Sequence, residues 1–317
     1  MKRVGLFFTR EGEEALISEE TRKSISQALR SIGSASIVEI EVTSNGFIYQ
    51  DTVLKNHDLS DHIDYACIAI HGELGEGGGL QKIFEDHHIP YIGTNAYQSS
   101  VAFSKAATKA VLESSGIKSA TYQVFKRDEI DGKTASHIFT TMPQPCIVKP
   151  STSGSSYGVS KCRTIHEIQN ALSEALQYSD TIVVEEFIEG REFFVGVITD
   201  FRNKELYMLP AVEAILADGK EFFDTEAKYD GSTNEVCPAN INEELSQELQ
   251  DATKAVCSAI HIRDYARIDF IAHPTRGVFV IEVNTLPGMS SESLFPKAIK
   301  TIGLSMRDMF KMFIERL

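Results

Sequence analysis

Two apolar segments near the carboxyl end of the chain, 266–272 and 278–284, carry polar residues at alternate positions. These residues are Arg267, Asp269, Glu282 and Asn284. Residues two apart on a strand share a face, so a hairpin of the two segments would bring the four side chains together. Mg²⁺ prefers carboxylate and amide oxygens. The pattern therefore predicts a metal site on a hairpin, and the alternative interpretation is a cross-strand salt bridge at the surface.

Two glycine-rich segments offer candidate anion sites. The first, HGELGEGGG (71–79), lies between a predicted strand and a predicted helix, but Leu80 stands where a dinucleotide-binding fingerprint needs its last glycine. The second, KPSTSGSSYGVSK (149–161), lacks the spacing of a Walker A loop. Small residues allow successive backbone amides to face an anion, and the alternatives are a tight turn and a flexible hairpin loop.

Composition excludes several classes of protein. The chain has 317 residues, enough for two or three lobes, and a net charge of −14, which argues against a general nucleic-acid surface. The amino-terminal apolar run is too short for a signal peptide, and no stretch reaches membrane-spanning length. The five cysteines are scattered and form no Cys-x-x-Cys pair, so we expect a cytoplasmic protein with reduced thiols. No Gly-x-Ser-x-Gly motif supports a serine hydrolase.

Hydrophobic periodicity predicts an alternation of strands and helices. Strands are predicted at 4–8, 36–41, 65–70, 121–125, 146–149, 181–187, 192–199, 206–212, 266–272 and 278–284. Helices are predicted from 18 to 33, from 80, at 105–115, from a Thr164–Glu167 capping box to 176, at 243–260 and from 305. The polar stretch 213–242 is predicted to be a long functional loop.

The motifs, taken in order, resemble the D-alanine:D-alanine ligase family of the ATP-grasp superfamily over nearly the whole chain. The matching segments are HGELGEGGG (71–79), YIGTN (91–95), VKPSTSGSSYGVSK (148–161), VVEEFIEGREFFVGVI (183–198), EAKYDGST (226–233), ARIDF (266–270) and EVNTLPGMSSESLFPK (282–297). The resemblance implies an α/β fold (α+β overall) of three ATP-grasp lobes. These would be a Rossmann-like lobe at 1–94, a central lobe at 95–182 and a carboxyl-terminal lobe at 183–317, with a lid at about 213–242.

The family resemblance also implies an activity and a nucleotide site. Mg-ATP would phosphorylate the carboxylate of one D-alanine, and the amine of a second would attack the acyl phosphate. Residues implied to bind ATP are Lys105, Lys149, Ser155, Glu185, Glu186, Ile188, Glu192 and Lys228. Asp269, Glu282 and Asn284 would bind Mg²⁺, with two ions expected and Mn²⁺ as a possible substitute.

The same resemblance implies the residues that hold the amino acids. The residues implied to act in catalysis are Glu14, Ser155, Tyr229, Arg267 and Gly288. The residues implied to bind substrate are Glu14, His71, Arg267, Ser293 and Leu294. Tyr229 favours a dipeptide, because related ligases that make D-alanyl-D-lactate have histidine at about this place. A homodimer and a role in peptidoglycan precursor synthesis follow from the family alone.

Departures from the family pattern keep other functions open. The segment 9–14 matches only at Glu14, Gly77 replaces an aspartate, and Ser104 replaces the usual aspartate before Lys105. They favour, as the alternative, a paralogous ATP-grasp ligase that joins a different amino or hydroxy acid. A third hypothesis is a module that binds ATP without turnover.

Overall fold

The computed structural model describes residues 1–12, 14–215 and 234–316, which form three sheets and the helices around them. The strands are β1 (Lys2–Phe8), β2 (Ala35–Thr43), β3 (Gly46–Tyr49), β4 (Thr52–Leu54), β5 (Tyr65–Ile68), β6 (Tyr122–Lys126), β7 (Cys146–Pro150), β8 (Ser160–Cys162), β9 (Thr181–Glu186), β10 (Arg191–Phe201), β11 (Lys204–Met208), β12 (Val212–Ile215), β13 (Asn234–Val236), β14 (Tyr265–His273) and β15 (Gly277–Asn284). The helices are α1 (Ala15–Arg30), α2 (Leu59–His62), α3 (Glu73–Glu76), α4 (Gly79–Asp86), α5 (Ala96–Phe103), α6 (Lys105–Ser114), α7 (Thr134–Thr141), α8 (Ile165–Ala175), α9 (Glu243–Ile260), α10 (Leu294–Thr301) and α11 (Met306–Arg316).

The first sheet contains the amino-terminal strands in the order β4-β3-β2-β1-β5. β1 runs parallel to both of its neighbours, and its last five residues are buried, as expected for a parallel strand that is covered on both faces. α1 packs on β1 and β2 and buries Ile25 and Leu29. The sheet directs the carboxyl ends of β1 and β5 toward the cavity described below.

The middle sheet has the order β6-β9-β7-β8 and a core of its own. Every residue of β7 is buried, and α7 and α8 cover one face of the sheet through Ile138, Ile168 and Leu172. The buried residues of this core lie between 135 and 184 in the chain. Residues 151–159, between β7 and β8, form the glycine- and serine-rich loop predicted from the sequence.

The third sheet has the order β13-β12-β10-β14-β15, with β11 paired to β10. Alternation along β10 separates two environments. Phe193, Val195 and Val197 pack in a core that includes residues of α9, whereas Glu192 and Phe194 line the cavity on the opposite face. The sheet therefore presents one apolar face to its helix and one partly polar face to the candidate site.

The first and third sheets share a hydrophobic core. Phe310 and Phe313 of α11 belong to the same buried cluster as Phe7, and α11 packs against α1. Tyr265 of β14 stacks on Phe313, with ring centroids 5.7 Å apart. The middle sheet has a core separate from this shared core, although α6 contacts its strand β9.

Several sequence predictions need correction. The predicted strand at 206–212 is two strands, β11 and β12, because Pro210 lies between them. Glu167 accepts a hydrogen bond from the amide of Arg163 and not from that of Thr164, so the predicted capping box forms only in its Thr164 half. The predicted long loop, 213–242, instead has β12 and β13 paired near its ends, and residues 216–233 lie outside the described residues.

The lobe boundaries at 94/95 and 182/183 stay a prediction. β9 belongs to the middle sheet and β10 to the third sheet, so we propose that the second boundary falls at 187–190. Among the helices described, none combines the length and apolarity needed to cross a bilayer.

Candidate active site

A cavity of about 360 Å³ lies where the three sheets meet. All site residues predicted from the sequence that fall in the described ranges line it. These are Glu14, His71, Lys105, Lys149, Ser155, Glu185, Glu186, Ile188, Glu192, Arg267, Asp269, Glu282, Asn284, Gly288, Ser293 and Leu294. Lys228 and Tyr229 lie outside the described residues. Residues distant in sequence therefore converge on one cavity, while their individual roles stay predictions.

The polar hairpin forms as predicted. In β14 and β15, Arg267 pairs with Asn284 and Asp269 with Glu282, and a register shift follows Asp269. The Arg267 guanidinium donates two hydrogen bonds to Asp269, at 2.7 and 2.8 Å. Burial alone lowers the pKa of Arg267, but the charge and hydrogen bonds of Asp269, together with the charges of Glu282 and Glu76, outweigh burial and raise it. Arg267 is therefore a permanent cation in the cavity wall.

The oxygen atoms of this hairpin suit a hard cation. Asp269 and Glu282 supply carboxylates, and the side-chain oxygen of Asn284 accepts a hydrogen bond from the amide of Leu286 at 3.1 Å, which orients it. Within the described ranges no three His, Cys, Asp or Glu side chains are grouped for a metal ion, and the role of Asn284 as a metal ligand stays a prediction. Carboxylates and an amide are the donor set that Mg²⁺ takes.

Lys105 and Lys149 reach the cavity from different elements. Lys105, at the start of α6, donates to the carbonyl oxygen of Ser153 at 2.6 Å and lies 3.3 Å from Glu282. Lys149 lies in β7, and its ammonium forms an ion pair with the carboxylate of Glu185 in β9. Both lysines therefore line the cavity, and the phosphate-binding role that the family resemblance implies for them stays a prediction.

Sequence reasoning missed a third lysine, Lys109, one turn after Lys105 on α6. Its ammonium lies 2.7 Å from the second carboxylate oxygen of Glu185. Burial alone raises the pKa of Glu185, but the two lysines more than offset this and lower it to about 2. A lysine at helical spacing among apolar residues could have signalled a buried ion pair, although not its partner.

The predicted adenine side of the cavity is apolar. Its walls include side chains that the sequence did not single out, namely Ile147, Val159, Phe187, Phe270 and Ile281. Glu186 also lines this side of the cavity, but its side chain is charged. Its carboxylate accepts two hydrogen bonds from Arg276, at 2.8 and 3.0 Å, and one from the amide of Thr121. The Arg276 hydrogen bonds lower the pKa of Glu186. The carboxylate of Glu186 is therefore held by Arg276 and Thr121, and its amide donates to the carbonyl oxygen of Thr121 at 3.0 Å.

Glu14 occupies the opposite corner of the cavity. Its carboxylate accepts a hydrogen bond from the hydroxyl of Ser155 at 2.5 Å. A Cβ placed on Gly72 or on Gly154 would stand 2.5 or 2.6 Å from its oxygens, so it is held between two glycine main chains. Burial raises the pKa of Glu14, the charge of Glu76 raises it further, and the bond from Ser155 opposes both. The amino-terminal lobe and the 151–159 loop thus meet at this carboxylate.

His71 is fixed by hydrogen bonds on both ring nitrogens. Nδ1 lies 3.2 Å from Glu76 and Nε2 lies 2.9 Å from the hydroxyl of Thr21. A carboxylate oxygen only accepts, so Nδ1 carries the proton and Nε2 accepts from Thr21 in the neutral ring. The ring is therefore held beside Glu14 in a single orientation.

The segment 288–294 forms the last wall. The backbone of Ser293 precedes α10, and its hydroxyl pairs with that of Ser290 at 2.8 Å instead of capping the helix. A Cβ on Gly288 would stand 2.8 Å from this Ser293 hydroxyl, so only glycine permits the approach. The first amides of α10 thus remain available to a carboxylate, as helix amino termini favour anions.

Comparisons with known proteins agree with this arrangement. The family model described as D-ala D-ala ligase C-terminus matches residues 111–315. A D-alanine--D-alanine ligase of Christiangramia forsetii is 40% identical over 256 residues, 80% of this chain and 76% of that protein. Another, of Carboxydothermus hydrogenoformans, is 33% identical over 311 residues, 97% of this chain and 95% of that protein.

Solved structures match the whole fold. D-alanyl-alanine synthetase A from Vibrio cholerae has a TM-score of 0.88 at 24% identity. The match covers 99% of this chain and 98% of that chain. D-alanine--D-alanine ligase from Bacillus anthracis complexed with ATP has a TM-score of 0.81 at 26% identity. The match covers 99% of this chain and 97% of that chain. The VanG D-Ala:D-Ser ligase from Enterococcus faecalis has a TM-score of 0.83 at 25% identity. The match covers 99% of this chain and 98% of that chain. The predicted α/β fold of three ATP-grasp lobes is confirmed, and the chain belongs to the D-alanine--D-alanine ligase family.

Proposed function

We propose that the chain joins two D-alanines into D-alanyl-D-alanine with the conversion of ATP to ADP and phosphate. The observation that carries the proposal is the convergence of three features on one cavity: the Asp269, Glu282 and Asn284 hairpin, the two lysines 105 and 149, and the Glu14 corner. Residues suited to a cation, to an anion and to an ammonium group in one cavity fit an ATP-dependent ligation of an amino acid.

Lys105 and Lys149 would hold the phosphates of ATP, the apolar wall around Ile188 its adenine, and Glu192 its ribose. Ser155 and its loop would cover the phosphates. Asp269, Glu282 and Asn284 would hold two Mg²⁺ ions, or Mn²⁺ in their place, which neutralise phosphate charge and orient the transferred group when bound. Lys228, outside the described residues, stays a proposed phosphate contact.

The first D-alanine would bind with its ammonium at Glu14, beside His71. One oxygen of its carboxylate attacks the terminal phosphorus of ATP, the bond from that phosphorus to ADP breaks, and an acyl phosphate forms. Arg267 is placed to stabilise the negative charge of the transferring group, because it stays charged at any ordinary pH.

The second D-alanine would bind with its carboxylate at the amino terminus of α10, where Ser293 and the amide of Leu294 lie. Its neutral amine attacks the acyl carbon, and one proton of the attacking nitrogen passes to solvent. Arg267 and the amide of Gly288 would stabilise the resulting oxyanion, which collapses to the peptide with release of phosphate. Tyr229, outside the described residues, stays a proposed part of the lid that excludes water from the acyl phosphate.

We further propose a cytoplasmic homodimer that supplies the dipeptide to peptidoglycan precursor synthesis. Family membership supports these statements. Size-exclusion chromatography with light scattering measures the oligomeric state directly.

Purified protein incubated with ATP, Mg²⁺ and D-alanine tests the proposal. We expect one phosphate and one D-alanyl-D-alanine per cycle. D-serine serves as an alternative first substrate, because the segment 9–14, which contains Glu14, and Gly77 depart from the family pattern, and D-serine and D-lactate serve as alternative second substrates. Efficient product with D-serine or D-lactate and none with D-alanine would establish the paralogous ligase. Nucleotide binding without phosphate release from any substrate would leave only an ATP-binding module.

A further inference from the structure

Lys109 is a buried cation with no established task in the proposed reaction. It is 2% exposed, lies on α6 and does not line the cavity. Burial lowers its pKa, because an ammonium group loses its hydration, and the charge of Glu185 opposes this effect. A buried lysine persists only where a partner offsets that cost, and Glu185 is the partner.

Lys109 connects two parts of the molecule. α6 packs against α9 and β15 of the third sheet, whereas Glu185 lies in β9 of the middle sheet. The Lys109 ammonium also donates to the carbonyl oxygen of Ala120, at 3.3 Å, in the segment that joins α6 to β6. The ion pair therefore attaches the separate middle core to the body formed by the other two sheets.

The charges in this cluster do not cancel. Glu185 gives one oxygen to Lys109 and the other to Lys149. All three side chains are buried, so water screens their charges little. Two ammonium groups and one carboxylate leave a net single positive charge, and Lys149 is the member of the pair of lysines that reaches the cavity.

We propose that Lys109 is a positioning residue that neutralises Glu185 from behind and so keeps the charge of Lys149 available for the phosphates of ATP. Without Lys109, the carboxylate of Glu185 would be matched by Lys149 alone, and this cluster would present no net positive charge to the nucleotide. Lys109 would thus act on ATP through Glu185 and Lys149 without touching it. This inference rests on the proposed function, because it requires ATP in the cavity.

The test separates phosphate recognition from the rest of nucleotide binding. Isothermal titration calorimetry measures the dissociation constants of ATP and of adenosine, both with Mg²⁺ and without D-alanine. The ratio of the adenosine constant to the ATP constant reports what the phosphates contribute. Four variants of the full chain are compared with the unchanged protein: Lys109→Met, Glu185→Gln, Lys109→Met with Glu185→Gln, and Lys254→Met. Lys254 lies exposed on α9 and controls for the loss of one positive charge.

We expect Lys109→Met to lower the ratio about tenfold and the double variant to restore it to within about twofold, because removing both charges leaves the positive charge of Lys149 intact. Any change that Glu185→Gln makes in contacts with the adenosine part of the ligand is common to ATP and adenosine, so it leaves the ratio unchanged. Lys254→Met should leave the ratio unchanged. A structural role alone would weaken ATP and adenosine equally and leave the ratio constant, which overturns the proposal. If Lys109→Met does not fold, the double variant decides, and a ratio about tenfold below that of the unchanged protein refutes the mechanism. Failure of the unchanged protein to bind ATP would instead refute the proposed function.

Discussion

A methyl group at Gly154 would collide with the carboxylate of Glu14. A Cβ built there stands 2.6 and 2.7 Å from the two carboxylate oxygens, whereas ordinary contacts begin near 3.4 Å. The main chain at Gly72 also lies close to this carboxylate, since a Cβ built on Gly72 would stand 2.5 Å from Oε2 of Glu14. In a Gly154→Ala variant the carboxylate must therefore move by about 0.8 Å, away from Ser155.

The magnitude follows from the hydrogen bond that this movement breaks. Ser155 donates to the Glu14 carboxylate at 2.5 Å, and a hydrogen bond to a charged group contributes about 1.5 to 3 kcal/mol. Since about 1.4 kcal/mol corresponds to a factor of ten, we expect kcat/KM for D-alanine to fall about 10- to 100-fold. Because the same hydrogen bond is lost from the folded protein, the free energy of unfolding should fall by a similar amount, and Gly154, which does not have a left-handed backbone, adds no backbone strain of its own.

The assay measures initial rates of phosphate release at varied D-alanine and saturating ATP, with urea unfolding as the measure of stability. Gly132→Ala is the matched control, because Gly132 is exposed, also lacks a left-handed backbone, and a Cβ there would meet nothing within 4 Å. Unchanged kcat/KM in Gly154→Ala, or an equal loss in Gly132→Ala, would refute the role given to the Glu14 corner.

Four further changes test other parts of the structure. Glu14→Gln should abolish ligation yet stabilise the fold near neutral pH. The pKa of Glu14 is raised in the folded protein, so the unchanged protein loses stability as pH rises from the ordinary glutamate pKa through the folded one, and the variant does not. Urea unfolding between pH 4 and 8 measures this difference. Glu282→Ala should remove Mg-ATP turnover and leave far-UV circular dichroism unchanged, and retained turnover would refute the metal assignment. Arg276→Met should cost up to about 1 kcal/mol at pH 7 by urea unfolding, because the Arg276 side chain is 44% exposed and water screens its charge. The difference should shrink as pH falls below the ordinary glutamate pKa and Glu186, whose pKa is lowered, becomes protonated. Phe313→Ala should cost about 3 to 5 kcal/mol, because this 1% exposed ring joins the cores of the first and third sheets; a loss below 1 kcal/mol would contradict that shared core.

The polar hairpin was predictable because its information is local. Alternate spacing along β14 and β15 fixes which side chains share a face, and the pairing of Asp269 with Glu282 follows from a short turn. The segments around Lys149, Glu185 and Ser293 were placed by family resemblance, and the structure brings them to the same cavity. Local pattern and ordered motifs therefore sufficed for the fold and for most of the cavity wall.

The missed residues depend on packing between distant parts of the chain. Lys109 pairs with Glu185 only because α6 packs against β9, and Arg276 pairs with Glu186 only because the tip of the last hairpin reaches it. Neither contact leaves a periodic signal in the sequence. The β3–β4 hairpin was missed for a different reason. Gln50 and Asp51 both take positive φ angles at its turn, without the Asn-Gly or Asp-Gly pair that usually marks such a turn.

Transfer of oxygen-18 from the substrate carboxylate to phosphate tests the central claim most directly. D-alanine labelled with oxygen-18 in its carboxylate is incubated with the protein, Mg²⁺ and unlabelled ATP, and the products are measured by mass spectrometry. Attack of a carboxylate oxygen on phosphorus, followed by attack of an amine on the acyl carbon, leaves that oxygen in the phosphate. We expect one labelled oxygen per phosphate and one dipeptide per phosphate released. Unlabelled phosphate, or phosphate without dipeptide, would contradict an acyl-phosphate ligase.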